Sequence, residues 1–204
     1  MEKQLLLATS NQGKLRELRT LLDGLDVALT TPRELGVQLE VSETGDTYRA
    51  NASLKALAYT RATGLIVLAD DSGLEVAALN GAPGIHSARF SPKPSATDKD
   101  RRDYLLERLA NSPRPWHARF VCLAAVATPQ ENLLFAEGIC PGEIIPEERG
   151  TQGFGYDPIF FLPELQRTMA ELDMHTKNKL SHRGRAVAAM RPILQELFTS
   201  LNGK

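Results

Sequence analysis

The chain has 204 residues, 42% of them hydrophobic, enough to bury a core as one domain or as two closely joined lobes. Lys and Arg total 24 against 25 acids, a formal net charge of −1. No global positive field therefore exists to hold nucleic acid or anionic lipid, and any phosphate site must be local.

Cys122 and Cys140 lack the C-x-x-C spacing of zinc or redox sites and read as reduced thiols. The opening Met-Glu-Lys-Gln, followed only by the apolar Leu5 to Ala8, predicts no signal peptide. No later stretch approaches the ~20 apolar residues that span a bilayer. The expectation is a soluble, cytoplasmic protein.

In chain order, Leu5 to Ala8 reads as a buried strand, followed by a polar loop and a helix with Leu15, Leu18, Leu21 and Leu22 on one stripe. A second helix is predicted from about Thr47 to Ala62, with Ala50, Leu54, Leu57 and Ala58 on its inner face. A strand from Leu65 to Ala69 follows and ends on Asp70-Asp71-Ser72-Gly73, with another strand near Leu74 to Ala78. Gly81-Ala82-Pro83-Gly84 has the chemistry of a turn. Residues 91 to 96 read as surface loop. Thr97 with Asp100 three places on resembles a helix start leading into Tyr104, Leu105 and Leu109. Strands follow at Arg119 to Ala127 and Asn132 to Ala136, with extended pieces at Glu143 to Ile145 and Ile159 to Phe161. Ser181 is placed to cap a last helix through Leu201, with Val187, Met190, Leu194, Leu197 and Leu201 inward. The interleaving predicts an α/β protein with a mixed sheet.

Thr9-Ser10-Asn11-Gln12-Gly13-Lys14 lies between a strand and a helix, where free N–H groups and the helix dipole favour an anion, and Lys14 adds a point charge. The segment is not a P-loop, and a helix cap with a solvated lysine is the competing reading. Asp70 and Asp71 face opposite sides if the strand stays extended, so they do different jobs; one can bind a metal or activate water while the other is structural. Glu40, Glu43 and Asp46 could add oxygen ligands for a hard cation. Magnesium fits better than zinc, because there is no His or Cys cluster. Gly153-Phe154-Gly155-Tyr156-Asp157-Pro158 suits a base-stacking wall, or an ordinary turn with core aromatics. Lys177-Asn178 and Ser181-His182-Arg183-Gly184 bring donors together just before and at the start of the last helix.

Taken in order, T-S-N-x-x-K (Thr9 to Lys14), E-T-G-x-T-Y (Glu43 to Tyr48), N-A-x-x-K-A (Asn51 to Ala56) and A-D-D-S-G-L (Ala69 to Leu74) form a recognisable set. With G-A-P-G-I-x-S-A-R (Gly81 to Arg89), G-F-G-Y-D-P-I-F (Gly153 to Phe160), Lys177-Asn178 and S-H-R-G (Ser181 to Gly184), the chain resembles the inosine/xanthosine triphosphate pyrophosphatase family. The resemblance implies one α/β domain over residues 1–204, with an elongated mixed β-sheet and flanking helices forming two lobes around a central substrate cleft, and a homodimer. It implies hydrolysis of inosine, deoxyinosine and xanthosine triphosphates to monophosphate and pyrophosphate. It also implies substrate binding by Thr9, Ser10, Asn11, Gln12, Gly13, Lys14, Ser72, Phe154, Gly155, Tyr156, Asp157, Lys177, His182 and Arg183, with Asp71 as general base and Glu43 with Asp71 on Mg2+; Lys14 is expected to be catalytic as well, neutralising charge on the leaving pyrophosphate.

Two departures stand out. Ser42 replaces an acid often found beside the glutamate of E-T-G, and Met174-His175-Thr176 replaces an acidic pair before Lys177. Donors from His182 or Arg183 would bond the six-oxo group of inosine or xanthine and oppose the amino group of adenine. The alternatives are a pyrophosphatase with another base preference and a non-catalytic nucleotide-binding regulator; the second is disfavoured because carboxylates would not meet phosphates without a metal.

Overall fold

The structure is a computed structural model that describes residues 3–200. The elements run β1 (Gln4–Leu7), α1 (Gln12–Leu21), β2 (Ala28–Thr30), α2 (Tyr48–Thr63), β3 (Ile66–Val76), β4 (Pro83–Gly84) and α3 (Asp98–Leu109). They continue with β5 (Trp116–Ala127), β6 (Leu133–Ile144), β7 (Phe160–Leu162), β8 (Arg167–Thr168), α4 (Met174–Leu180) and α5 (His182–Ser200). One mixed sheet has the order β2-β1-β3-β5-β6-β7-β8, with β4 paired to β3. Pairing is parallel from β1 to β2 and β3, and antiparallel from β3 to β4, β6 to β7 and β7 to β8. This is the α/β class that the alternating pattern predicts.

The chain forms two compact units. The first contains residues 1–71, 122–138 and 183–204, and the second 72–121 and 139–182. In the first, the strand pleat sorts side chains onto two faces. Leu5, Leu7, Ile66, Leu68, Cys122, Ala124 and Val126 pack with Leu18 and Leu22 of α1 and Val187, Met190 and Leu194 of α5. Leu6, Ala8, Val67, Ala69, Leu123, Ala125 and Ala127 pack with Ala52 and Ala56 of α2. In the second unit, Leu105 and Leu109 of α3 join Trp116, Phe120, Ile144, Ile159, Phe160 and Leu172 in a separate core.

Several expectations change. The strand predicted to stop at Asp70 continues unbroken through Asp70-Asp71-Ser72-Gly73 to Val76, absorbing most of the strand expected after it. Polar turn-forming residues lose to the pairing available on the sheet, which includes the register Leu74 to Gly84 with β4. Pro83–Gly84 is therefore a short strand within the expected turn. The inner face of α2 is Asn51, Ala52, Ala56 and Thr60, while Leu54 is 40% exposed. Small side chains let this helix lie close to the sheet, and Leu57, expected inward, packs partly buried against the same core. Glu143 and Ile144 belong to β6, and α4 is a helix that the sequence pattern did not reveal. The capping box of Thr97 and Asp100 is present. α5 begins directly after Ser181; Leu201, expected to end it, lies outside the described residues. No helix among the described residues is long and apolar enough to cross a membrane.

Leu105 is fully buried, whereas Leu54 is largely open. Leu105→Ala should lower unfolding stability by about 3 kcal/mol, and Leu54→Ala by less than about 0.5 kcal/mol, read from denaturant midpoints at unchanged slope.

Candidate active site

The segment after β1 turns on its own side chains. Thr9 Oγ1 accepts the Asn11 N–H at 3.2 Å, and Asn11 caps α1 by accepting the Lys14 N–H at 3.0 Å. Ser10, Asn11 and Gln12 stay exposed and Gly13 is buried. The first turn of α1 thus carries backbone N–H groups without a helical partner, as an anion site needs. Lys14 is not a solvated lysine: its side chain is 16% exposed and its ammonium lies 3.0 Å from Asp70 Oδ2.

Alternation along β3 explains the different surroundings of the two aspartates. Asp70 follows Ile66 and Leu68 on the face covered by α1 and α5, while Asp71 follows Val67 and Ala69 on the face covered by α2. Asp70 Oδ2 accepts from Lys14 and from Arg183, at 3.1 Å from Nη2 and 3.3 Å from Nε. Arg183 Nη1 in turn donates to Glu17 Oε2 at 2.6 Å. Glu17 sits three residues after Lys14 on the same helix face. The result is a buried alternating chain, Lys14, Asp70, Arg183, Glu17, of zero formal charge. Burial opposes ionisation of Asp70, but Lys14, Arg183 and Lys55 outweigh it and hold its carboxyl well below the usual range. Burial likewise disfavours the Arg183 cation, yet Asp70 and Glu17 raise its pKa. Cys122 donates weakly to Asp70 Oδ2 at 3.8 Å; burial and that negative charge push its thiol up to about 12, so it is an inert core thiol.

Asp71 has different company. Its Oδ2 accepts from Asn51 Nδ2 at 3.1 Å, and Asn51 Oδ1 accepts the Gly45 N–H at 2.9 Å, tying the Glu43–Gly45 segment to β3 through α2. Lys55 bridges Glu43 Oε1 at 2.7 Å and the Asp70 carbonyl at 2.5 Å. Burial raises the Asp71 pKa, and the Glu43 charge adds to the rise while Lys55 and Asn51 oppose it. Glu40 and Asp46 are exposed. Among the described residues no three His, Cys, Asp or Glu side chains converge as a metal-binding group. Glu43 and Asp71 nevertheless suit a hard divalent cation: both offer carboxylate oxygen, and the like-charge burden on Asp71 is one that a cation would relieve.

In the second unit, Asp157 and Lys177 form a buried ion pair at 2.6 Å. The same Asp157 Oδ2 accepts the Phe154 N–H at 2.9 Å, and the Lys177 ammonium lies 5.0 Å from the Phe154 ring centroid. Gly153, at φ +80, has no room for a Cβ, which would collide with the Asp157 carboxylate and the Lys177 ammonium. Tyr156 is buried with its hydroxyl donating to the Ser87 carbonyl at 2.9 Å, so it anchors this loop. Lys177 and Asn178 lie just before the last helix as expected, but on a helix of their own, α4, which the Asp173 cap opens. His182 is buried and stacks on Phe120, with ring centroids 4.7 Å apart. Ser72 continues β3, half-buried. The chain passes from the first unit to the second at the Asp71–Ser72 and Gly138–Ile139 bonds, and back at the Val121–Cys122 and His182–Arg183 bonds.

Sequence reasoning gave no role to Glu17, Lys55, Phe120 or Asn51. Asn51 and Lys55 stood in the N-A-x-x-K-A motif without a role, and Glu17 left a local sign in its helical spacing from Lys14.

Residues 5–193 match the Ham1 family. The dITP/XTP pyrophosphatase of Nostoc sp. is 47% identical over 98% of either chain, and that of Desulforamulus reducens 46% identical over 96% of this chain and 97% of its own. Among solved structures, a HAM1 protein from Coxiella burnetii is 43% identical with a TM-score of 0.86, covering 95% of this chain and 99% of that one. The nucleoside-triphosphatase/dITP/XTP pyrophosphatase from Mycobacterium abscessus is 40% identical with a TM-score of 0.72, covering 94% of this chain and 99% of that one. Full-length identity at this level, with the family pattern running from β1 into α5, establishes that the chain belongs to the Ham1 family.

Proposed function

We propose that this chain hydrolyses deaminated purine nucleoside triphosphates, those of inosine, deoxyinosine and xanthosine, to the nucleoside monophosphate and pyrophosphate. The activity named for its relatives supports the substrate class, and the contrast between Asp70 and Asp71 supports the chemistry. Lys14, Arg183 and Lys55 hold the Asp70 carboxyl well below the usual range and make it a poor proton acceptor, whereas burial raises the Asp71 pKa and its Oδ2 accepts from the neutral Asn51 amide. A base whose pKa moves towards the working pH is the better proton acceptor.

In this reading the first-turn N–H groups of α1 and Lys14 hold the phosphates, with Thr9, Ser10, Asn11, Gln12 and Gly13 shaping the loop and Ser72 touching substrate. Asp71 orients a water towards the α-phosphorus and accepts its proton. The new bond joins that oxygen to the α-phosphorus; the bond from the α-phosphorus to the bridging oxygen breaks, and its electron pair leaves on pyrophosphate. Magnesium, with Glu43 and Asp71 as proposed ligands, would neutralise phosphate charge and polarise the phosphoryl group. Phe154 stacks the base, Gly155, Tyr156 and Asp157 shape that wall with Lys177, and His182 and Arg183 supply donors to the six-oxo group. The proposal extends to a cytoplasmic homodimer.

The two aspartates should separate cleanly on mutation. Asp71→Asn should cut turnover by about 10²–10⁴-fold while the fold is kept, since the neutral amide relieves a buried charge. Asp70→Asn should lower stability by about 3 kcal/mol, because Arg183 and Lys14 lose their shared counter-charge. Near-normal turnover by folded Asp71→Asn would reject Asp71 as the base.

Phosphorus NMR of inosine triphosphate turnover in 18O-water should show pyrophosphate, with the label in the monophosphate and dependence on added magnesium. Orthophosphate as the first product would move the cleaved bond and overturn the mechanism.

Arg183→Lys should reduce the preference for inosine over adenosine triphosphate by about tenfold in kcat/KM, the scale of a lost base-edge hydrogen bond. An unchanged ratio with lower turnover would assign Arg183 to anchoring Lys14 through Asp70.

A further inference from the structure

Asp98 and Arg102 lie four residues apart on α3 and so share a helix face. The Gly155 N–H donates to Asp98 Oδ2 at 2.8 Å, and the Gly155 carbonyl accepts from Arg102 Nη1 at 2.7 Å. The rest of the Arg102 guanidinium is forked onto Glu148, at 2.9 Å from Nε to Oε1 and 3.0 Å from Nη2 to Oε2. Asp98 is further paired to Arg101, whose Nη1 donates to the Ala96 carbonyl at 2.7 Å. Arg102 is 9% exposed, so its bonds are made largely away from water.

The N–H held by Asp98 belongs to the Phe154–Gly155 peptide, and the carbonyl held by Arg102 belongs to the Gly155–Tyr156 peptide. Both peptide planes around Gly155 are therefore fixed by ionised side chains, and hydrogen bonds to charged groups are stronger than those between neutral ones. Gly155 needs this holding more than most residues, because at φ +61 it has no Cβ and nothing within 4 Å of that position to restrain it. Neither Asp98 nor Arg102 belongs to a motif that the sequence singled out for chemistry.

We infer that Asp98 and Arg102 are positioning residues for the nucleoside: together they clamp the backbone on both sides of Gly155, so that Phe154 is presented to the base before nucleotide arrives. The inference rests on the proposed base-binding role of Phe154. A loop that must be ordered during binding lowers apparent affinity by the fraction of time it spends out of its competent form, so the clamp acts on binding and leaves proton transfer at Asp71 untouched.

The test uses the full chain carrying Asp98→Asn or Arg102→Lys, each keeping the size and polarity of the residue it replaces. KM for inosine triphosphate should rise about tenfold in each while kcat stays within about twofold, the signature of lost binding. Inhibition by pyrophosphate, which has no base to stack, should keep its constant. Amide exchange at Gly155, followed without nucleotide, should accelerate in both variants. Faster exchange with unchanged KM would overturn the inference and leave the clamp a purely structural contact. KM and the pyrophosphate constant rising together would overturn it as general damage to the fold. Phe154→Ala is the control for the underlying reading: if it leaves KM unchanged, the base-binding role of Phe154 is wrong and the clamp's role falls with it. A raised KM in Phe154→Ala with no change in Asp98→Asn and Arg102→Lys rejects the clamp alone.

Discussion

The pleat of β3 is the constraint on which the first unit turns. Two adjacent aspartates can have unlike environments only if the strand stays extended through them, and it does. One carboxylate then meets α1 and α5, the other α2. A slip of one residue would exchange them and carry Ile66 and Leu68 to the face of Val67 and Ala69 at the same time. The parallel register Leu5 to Ile66, Leu6 to Val67 and Leu7 to Leu68 therefore sets the surroundings of both aspartates as well as the packing.

Charge compensation divides the same way. The set Lys14, Asp70, Arg183 and Glu17 balances itself, and only a balanced set tolerates this depth of burial. Its value lies in geometry more than in net stability, since desolvation consumes most of the Coulombic gain. Asp71 and Glu43 are like charges: Glu43 adds to the rise of the Asp71 pKa, while Lys55, paired to Glu43, and Lys14 oppose it. A phosphate would not approach such a group unaided, whereas a divalent cation would be drawn to it and could bring the phosphate with it.

Local signals in the sequence were reliable where the physics is local. Asn11 capping α1 and the Thr97–Asp100 box are decided within four residues, and both are present. The two-period and 3.6-period patterns placed most elements, and the ordered motifs placed the family. What the sequence hid is what long-range contact decides. Arg183 reaches Asp70 across 113 residues and Glu17 across 166, so no window around any of the three announces the buried chain. Asp-Asp-Ser-Gly has the composition of a turn, and pairing with neighbouring strands overrode it. Leu54 drew the predicted face of α2 towards itself, although that helix needs alanine and asparagine at the sheet. Asn51 shows the cost of reading polarity alone: it is fully buried because it joins Gly45 to Asp71.

The second unit meets the same requirement by other means. Phe154 has no strand register to aim it, since its loop runs from Gly153 to Asp157 before β7 begins. Its order comes instead from ionised side chains on the backbone: Asp157 on the Phe154 N–H, Asp98 on the Gly155 N–H and Arg102 on the Gly155 carbonyl. Each of these has its own charged partner, Lys177, Arg101 or Glu148, so none must be neutralised by ligand. A loop held by paired charges keeps glycine's unusual backbone angles without spending binding energy to impose them. If Phe154 stacks the base as proposed, a wall fixed in advance removes one route by which base-reading donors could relax to suit a base that differs by one exocyclic group.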